Sequence, residues 1–278
     1  MKSESNAPST HLSARWQRYG PWAVITGASD GIGRQIAEQL ADAGLNLVLV
    51  ARREAILGEM ANAIRTRSGV EVTLLAADLS QRASVQHVLD ATAALDVGLL
   101  VAAAGFGTSG DLIDGDLEQE LNMVDVNCRA LLHMVHAFGR RLRDRGRGGI
   151  ILMSSLVGFQ GVPRAANYAG TKAYVQSLAE GLSHELGPLG VDVIASAPGP
   201  VHSGFAARAN MRMSSALTPK VVARETLARL GHARVVRPGF MTKFLLLSLS
   251  LLPRWMRVRI VGQVMYGMTK HQLAHRAA

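Results

Sequence analysis

Short apolar runs alternate with longer segments whose apolar residues recur at helical spacing, from residue 22 to about residue 200. Continuous apolar strands between amphipathic helices are typical of a parallel sheet covered by helices on both faces. Right-handed crossovers then predict a single doubly wound α/β domain. The predicted strands are Trp22–Thr26, Leu45–Val50, Val70–Ala76, Val97–Val101, Gly149–Met153 and Val191–Ala195, and the predicted helices lie at about 31–44, 53–68, 80–94, 115–145 and 165–187.

The segments on either side of this alternation have a different character. Residues 1–21 are polar, lack the apolar core of a secretory signal, and predict a disordered or loosely packed lead-in. Residues 203–278 predict a helix, a short strand near Val235 and two apolar, basic helical segments. The longest strongly apolar run, 244–252, is too short to cross a hydrocarbon core of about 30 Å, so no transmembrane span is expected.

Charge is distributed unevenly along the chain. Residues 1–202 carry 17 Lys and Arg against 20 Asp and Glu, whereas residues 203–278 carry 13 Lys and Arg and one acid, Glu225. A basic end of this kind suggests an anionic partner: a phospholipid surface, a phosphate-bearing substrate or carrier, or nucleic acid. A solvated basic face without a partner explains the same charge.

Composition narrows the class further. Hydrophobic residues make up 48% of the chain and charged residues 18%, which excludes a disordered chain and a coiled coil. The single cysteine, Cys128, excludes an internal disulfide framework and a cysteine-based zinc site, and no metal is expected. A lone core cysteine is typical of a reducing compartment, so the expected location is the cytoplasm, either free or peripheral at a membrane surface.

The first predicted strand leads into a glycine-rich turn, Thr26-Gly27-Ala28-Ser29-Asp30-Gly31-Ile32-Gly33, and a helix follows. Glycines at such a turn allow close approach to a pyrophosphate and close packing of the helix on the strand. Because the turn stands between a strand and a helix, it predicts a dinucleotide site rather than an ordinary turn.

The end of the second strand, Val50-Ala51-Arg52-Arg53, bears on which dinucleotide is bound. An acid near this point would bind the ribose 2′-hydroxyl of NAD. Ala51 stands there instead, and a guanidinium such as that of Arg52 can pair with a 2′-phosphate. The pattern favours NADP(H), although Arg52 and Arg53 are also consistent with the start of a solvated helix.

Further motifs follow along the chain: Asp78-Leu79, Asn127, Ser155 thirteen residues before Tyr168, Tyr168 and Lys172 as Tyr-x-x-x-Lys, and Pro198-Gly199-Pro200-Val201. With these and the Thr26–Gly33 loop, the chain resembles the short-chain dehydrogenase/reductase family over residues 22 to about 202. It departs from the family pattern at four points. Ala102-Ala103-Ala104-Gly105 replaces the family's Asn-Asn-Ala-Gly, Asp30 stands where some NADPH-using members carry a basic residue, Ser203 stands where a threonine often binds the carboxamide, and the usual final strand leading to a Val-Asp-Gly-Gly ending is absent.

The resemblance implies a Rossmann-type, NADP-binding catalytic domain. Its expected limits are 22–238, after the lead-in over 1–21 and before a helical, apolar-basic extension over 239–278. It implies cofactor contacts from Gly27, Ser29, Asp30, Gly31, Ile32, Arg52, Asp78, Leu79, Ala104, Gly105, Tyr168, Lys172, Pro198, Gly199, Val201 and Ser203.

The chemistry is expected from Asn127, Ser155, Tyr168 and Lys172. Tyr168 and Lys172 share one helix face, and a nearby ammonium should lower the tyrosine pKa from its usual value of about 10. Tyr168 would exchange a proton with the substrate oxygen, which Ser155 would also bind. The resemblance implies that Lys172 holds the nicotinamide ribose and Asn127 a water. Singly, each has an ordinary alternative: a surface helix, a strand end or a core amide.

These residues predict an NADPH-dependent reductase of ketones or aldehydes, or the reverse alcohol dehydrogenase. A non-catalytic membrane-surface or carrier-binding protein that keeps the fold is the alternative. In the family the segment after the Pro-Gly motif covers the pocket. Phe205, Met211, Met213 and Leu217 in that segment predict an apolar lipid-, acyl-, steroid- or polyketide-like substrate.

Partner predictions rest on three surfaces. The resemblance implies that the segments at 115–145 and 165–187 form a dimer face, so a homodimer or larger assembly is expected. The arginines between 140 and 147 lack interleaved aromatics and predict a solvated face, so no nucleic acid is expected. Residues 239–270 suit either an in-plane contact with an anionic membrane or packing on the substrate lid or a second subunit.

Overall fold

The computed structural model describes residues 12–213 and 216–274 of the chain. Seven strands form one parallel sheet in the order β3-β2-β1-β4-β5-β6-β7, which confirms the doubly wound α/β prediction. The strands are β1 Trp22–Thr26, β2 Asn46–Ala51, β3 Val72–Ala76, β4 Val97–Ala102, β5 Gly148–Met153, β6 Val191–Ser196 and β7 Val235–Val236.

Helices connect the strands and continue past the last of them. The segment predicted as one helix at 115–145 consists of α5 and α6 joined by a π-helix over Asp125–Ala130. The helices are α1 Ala14–Gln17, α2 Gly31–Asp42, α3 Glu54–Ser68, α4 Arg82–Ala91, α5 Leu117–Val124, α6 Leu131–Arg145, α7 Ala166–Leu186, α8 Phe205–Arg208, α9 Pro219–Arg229, α10 Phe240–Ser250, α11 Arg254–Thr269 and α12 His271–Ala274.

The sheet is buried on both faces, which explains why its strands are apolar without alternation. Ile25 of β1 packs into a core with α2, α3 and α9, whereas its neighbour Val24 packs into a second core with α4, α6 and α7. The carboxyl ends of the strands are left open between β1 and β4, where the strand order reverses. Ligands of doubly wound sheets bind at this crevice.

The two ends of the described chain both attach to the domain. Within the lead-in expected over 1–21, Tyr19 is buried in the core, and its hydroxyl donates to Asp192 at 2.8 Å. Residues 1–11 lie outside the described residues. At the other end, β7 extends the sheet beside β6, and Met265 of α11 packs in a cluster with Phe106 and Tyr168. None of the helices described is both long and apolar enough for a membrane crossing.

Candidate active site

The glycine-rich loop lies at the crevice between β1 and β4. Gly27 has a φ of +68°, and a Cβ there would lie 2.8 Å from the amide nitrogen of Ala104. Only glycine therefore fits this turn without displacing backbone. Gly31 and Ile32 at the start of α2 border the cavity, where a helix N-terminus favours anions. The loop thus fits the phosphates of a dinucleotide.

Thr26 holds the carboxyl ends of β1 and β4 together where the family's asparagine amides are missing. The amide nitrogen of Ala104 donates to Thr26 Oγ1 at 3.0 Å, and that hydroxyl donates to the carbonyl of Val101 at 3.5 Å. A threonine on the neighbouring strand therefore bridges the two strand ends although Ala102 and Ala103 carry no hydrogen-bonding side chains.

Asp30 connects the glycine-rich loop to the turn before α8. The amide of Gly31 donates to its Oδ1 at 2.7 Å, and the amide of Gly204 donates to its Oδ2 at 3.0 Å. Asp30 therefore caps α2 and anchors the segment that covers the cavity. It also borders the cavity itself, so the predicted contact with the cofactor stays a prediction.

The end of β2 presents cations and no carboxylate to the cavity. Ala51, Arg52 and Arg53 all border it. The guanidinium of Arg53 donates to Ser29 Oγ at 3.1 Å and so supports the glycine-rich loop. The contact of Arg52 with a 2′-phosphate stays a prediction.

Arg208 of α8 is a cation at this site that sequence reasoning missed. Its guanidinium carbon lies 3.9 Å from the ring centroid of Phe106. Burial lowers the Arg208 pKa, nearby Arg52 lowers it further, and Asp78 raises it. These couplings place Arg208, Arg52 and Asp78 in one charged cluster. In the sequence, the only signal for Arg208 was the basic character of the segment after residue 202.

Ser155, Tyr168 and Lys172 meet at the carboxyl end of β5. Ser155 follows that strand, and the other two lie one turn apart in α7. Ser154 Oγ donates to the carbonyl of Lys172 at 3.0 Å, and Lys172 Nζ donates to the carbonyl of Met153 at 2.8 Å, so strand and helix are locked together. The Tyr168 and Ser155 hydroxyls hydrogen-bond to each other. Both can therefore reach one substrate oxygen.

Burial sets the protonation of this group. It raises the pKa of Tyr168 to about 12, and the hydrogen bond to Ser155 lowers it by less. Burial lowers the pKa of Lys172 to about 8. The Tyr168 pKa is therefore raised rather than lowered as expected, because burial outweighs the other influences on the hydroxyl. Lys172 Nζ donates to the Met153 carbonyl and lies 5.8 Å from the Tyr168 ring centroid.

Asn127 lies in the π-helix behind the cavity rather than in its wall. Its Nδ2 donates to the carbonyl of Phe106 at 2.8 Å and to Thr171 Oγ1 at 3.1 Å, and its Oδ1 accepts from the Phe106 amide at 3.1 Å. The side chain is thus a satisfied, buried amide that ties the loop after β4 to α7. The water-holding role that the resemblance implies stays a prediction.

A cavity of about 620 Å³ joins these features. Every residue predicted to contact the cofactor borders it, as do Ser155, Tyr168 and Lys172. Phe205, Met211 and Met213 border it too, whereas Leu217 instead forms a β-bridge with Val201. Within the described ranges, no group of three or more His, Cys, Asp or Glu side chains could hold a metal ion.

The inner sides of α10 and α11 complete the cavity wall, which sequence reasoning could not assign. Their helical character was predicted, but which side chains face the cavity depends on how the helices dock. The residues involved are Leu245, Leu249, Ile260, Val261, Val264, Met265 and Met268.

A parallel α/β sheet with a phosphate-binding turn at its switch point and a Ser, Tyr and Lys group beside it defines a dinucleotide-binding protein. The family model described as short chain dehydrogenase matches residues 21–214. The chain belongs to this family, and with it to the oxidoreductases that use a nicotinamide cofactor.

Two relatives illustrate the substrates found among similar proteins. The 7beta-hydroxysteroid dehydrogenase of Clostridium sardiniense is 34% identical over 178 residues, which cover 64% of this chain and 68% of that protein. The very-long-chain 3-oxoacyl-CoA reductase of Podospora anserina is 37% identical over 184 residues, which cover 64% of this chain and 54% of that protein. The match thus spans only about half of the second relative.

Two similar solved structures contain different cofactors. A short-chain dehydrogenase from Sphingobium yanoikuyae in complex with NADPH has a TM-score of 0.76 and 30% identity, over 84% of this chain and 94% of that one. A short chain dehydrogenase/reductase from Burkholderia phymatum in complex with NAD has a TM-score of 0.74 and 27% identity, over 82% of this chain and 92% of that one. The choice between the two cofactors therefore depends on this chain's own residues.

Proposed function

We propose that this chain is an NADPH-dependent oxidoreductase that transfers a hydride between nicotinamide and the carbonyl or secondary alcohol carbon of an apolar substrate. The observation that carries the proposal is a single cavity bordered by the glycine-rich loop, by Ser155, Tyr168 and Lys172, and by apolar side chains of the cover segment. This arrangement argues against the alternative of a non-catalytic binding protein, which has no use for the three polar groups.

Charge at the end of β2 supports NADP(H) over NAD(H). No carboxylate stands at Ala51, and Arg52 borders the cavity. Arg208 also borders it and lies close enough to Arg52 for that charge to lower the Arg208 pKa. A guanidinium pairs well with a phosphate, whereas an acid at this point would repel it.

The protonation of Tyr168 supports its role as a proton donor to a carbonyl oxygen near neutral pH. A pKa of about 12 keeps its hydroxyl protonated, so it is ready to donate to a carbonyl oxygen. Ser155 donates a second hydrogen bond to that oxygen and stabilises the charge that develops there. The bound cofactor supplies the hydride.

The cavity wall supports a bulky apolar substrate. Methionines at 211, 213, 265 and 268 border it, and unbranched thioether side chains adapt to irregular apolar shapes. By their names, the two relatives act on a steroid and on a very long acyl chain. Both of these substrates are bulky and apolar. We infer a lipid-, acyl-, steroid- or polyketide-like ketone.

NADPH oxidation should be measured with a homologous series of alkyl ketones and with steroid ketones. Each methylene buried in the cavity contributes about 0.8 kcal/mol, so kcat/KM should rise by up to about fourfold per added methylene until the cavity is filled. Short polar ketones serve as the comparison. Absence of NADPH oxidation with every ketone, or a preference for the short polar ones, would contradict the proposal.

We also propose a homodimer or larger assembly through the helices α5, α6 and α7. Leu121 and Leu132 are exposed on the first two helices, and Tyr174 is exposed on the third. Light scattering of the wild-type protein should give at least twice the mass of the chain, and the double change Leu121→Glu with Leu132→Glu should give the single-chain mass. Leu189 is exposed outside these helices, so the control change Leu189→Glu should leave the assembly intact. A wild-type protein that is monomeric at micromolar concentration would refute the proposal.

A further inference from the structure

The outer side of α10 is apolar although it faces away from the protein. Thr242, Leu246 and Leu249 form its buried side. On the opposite side, four large apolar residues recur at the spacing of one helix face, and Phe240 and Leu251 are 81% and 80% exposed. The four residues of this exposed face are Phe240, Phe244, Leu247 and Leu251.

Two neighbours extend the same apolar surface. Met241 is exposed beside Phe240, and Trp255 is 63% exposed in the first turn of α11. The rings of Phe240 and Phe244 stack with centroids 6.5 Å apart. A helix that is apolar on both sides is buried in a larger core or in lipid. These six residues are called the apolar face below.

Cations lie on the same two helices as the apolar face. Lys243 lies within α10, and Arg254 and Arg259 are exposed on α11. Arg257 donates to the carbonyl groups of Leu252 and Ser250, which holds its guanidinium at the turn between the two helices.

Acids are almost lacking in the same part of the chain. Glu225 is the one acid in residues 203–278. It accepts from the amide of Gly239 and pairs with Lys243 at 3.5 Å. The surface around the apolar face therefore has a positive charge that its own acids do not balance.

We propose that this apolar face and its surrounding cations dock on an anionic phospholipid bilayer, with α10 lying in the plane of the interface. Exposed aromatic and aliphatic side chains would enter the acyl-headgroup boundary, and the arginines would meet lipid phosphates and carboxylates. Tryptophan is well suited to this boundary because its ring is amphipathic.

Charge decides against a second copy of the chain as the occupant. Pairing two apolar faces would bring Arg254, Arg257 and Arg259 of each copy towards those of the other. Glu225, the single acid of the segment, is already paired with Lys243. Like charges that face each other without acids disfavour such an interface, whereas an anionic bilayer complements them.

The inner side of the same two helices indicates how docking would bring the substrate cavity close to the bilayer. Leu245 and Leu249 of α10 and Val264 of α11 border the cavity. The helices thus separate the cavity from the apolar face by one layer of side chains, and an apolar substrate dissolved in the bilayer would reach the cavity along their edge. Substrate entry by this route rests on the proposed function, whereas lipid binding does not.

Co-sedimentation of the full-length protein with two kinds of vesicle tests the docking. Vesicles of phosphatidylcholine with phosphatidylserine should bind the protein, high salt should weaken the binding, and vesicles of phosphatidylcholine alone should bind much less. Phe244→Asp with Leu247→Asp should abolish binding. Arg254→Gln with Arg259→Gln should weaken it by about fivefold per arginine.

Matched variants separate docking from general charge and folding effects. Arg140→Gln with Arg147→Gln removes the same charge from the exposed end of α6 and the turn after it, and should leave binding unchanged. A vesicle-dependent blue shift of tryptophan emission should vanish in Trp255→Phe. All soluble variants should keep wild-type kcat with a short, water-soluble ketone, because the changed side chains lie outside the catalytic group.

Three results would overturn the inference. One is binding that ignores anionic lipid, and another is binding that persists in the double aspartate variant. The third is a wild-type protein that assembles but binds no vesicles, and whose assembly the double aspartate variant dissociates. The apolar face would then join two copies of the chain. If the wild-type protein bound vesicles but reduced no ketone, the proposed enzyme function would be refuted and the docking proposal would stand.

Discussion

Tyr168→Phe should lower kcat for ketone reduction by about 10²–10⁴-fold, the usual contribution of a positioned proton donor. The change keeps the ring, whose centroid lies 5.3 Å from that of Phe205, so the cavity wall should stay in place. It removes only the hydroxyl that hydrogen-bonds to Ser155. NADPH binding, measured by fluorescence titration, should therefore stay close to that of the wild type.

Two further variants test the assignment of Tyr168. Ser155→Ala should lower kcat less, since the Tyr168 hydroxyl remains to protonate the substrate oxygen. Lys172→Ala should impair turnover and cofactor binding together, because the resemblance assigns it to both. Near-normal kcat in Tyr168→Phe, with a ketone that the wild type reduces, would refute Tyr168 as the proton donor.

Arg52→Asp should reverse the cofactor preference. In the wild type we expect NADPH to bind more tightly than NADH, because a charge-assisted hydrogen bond to the 2′-phosphate contributes about 1.5–3 kcal/mol, which is about 10- to 150-fold in affinity. The variant loses this bond and places a carboxylate one residue after Ala51, where it repels the phosphate and suits the free ribose hydroxyl. Dissociation constants for both cofactors measure the ratio.

A charge-matched control distinguishes local from general effects. Arg143→Asp changes the net charge by the same amount at the exposed end of α6, where Arg143 pairs with Asp144 at 2.7 Å. Its cofactor ratio should equal that of the wild type. If Arg52→Asp also left the ratio unchanged, Arg53 or Arg208 would be the residue that reads the phosphate, and Arg208→Gln would then be the next variant to measure.

The exposed face of α10 and the cavity wall behind it are formed by different residues of one helix. Leu246 and Leu249 are buried, whereas Phe244 and Leu247 on the opposite side of the helix are exposed. A substitution on the inner side changes the shape of the substrate cavity, and one on the outer side changes what the protein can bind. Substrate selectivity and surface binding should therefore respond to different residues of the same helix.

The sequence by itself determined the sheet, the turn and the catalytic spacing, because each depends on local order. Strands buried on both faces are continuously apolar, as in Val97–Ala102, and a tight turn beside another strand requires Gly27. Tyr168 and Lys172 are neighbours on any helix that contains both. These relations need no knowledge of distant contacts.

Only the tertiary structure decided which distant side chains meet. Burial raises the Tyr168 pKa against the local expectation, and Lys172 turns to the Met153 carbonyl instead of the phenol. Arg208 joins Arg52 and Asp78, and Asn127 bonds to the Phe106 backbone, because loops far apart in the chain converge at the switch point. Desolvation and long-range Coulomb interactions depend on position in space, so sequence spacing could not supply them.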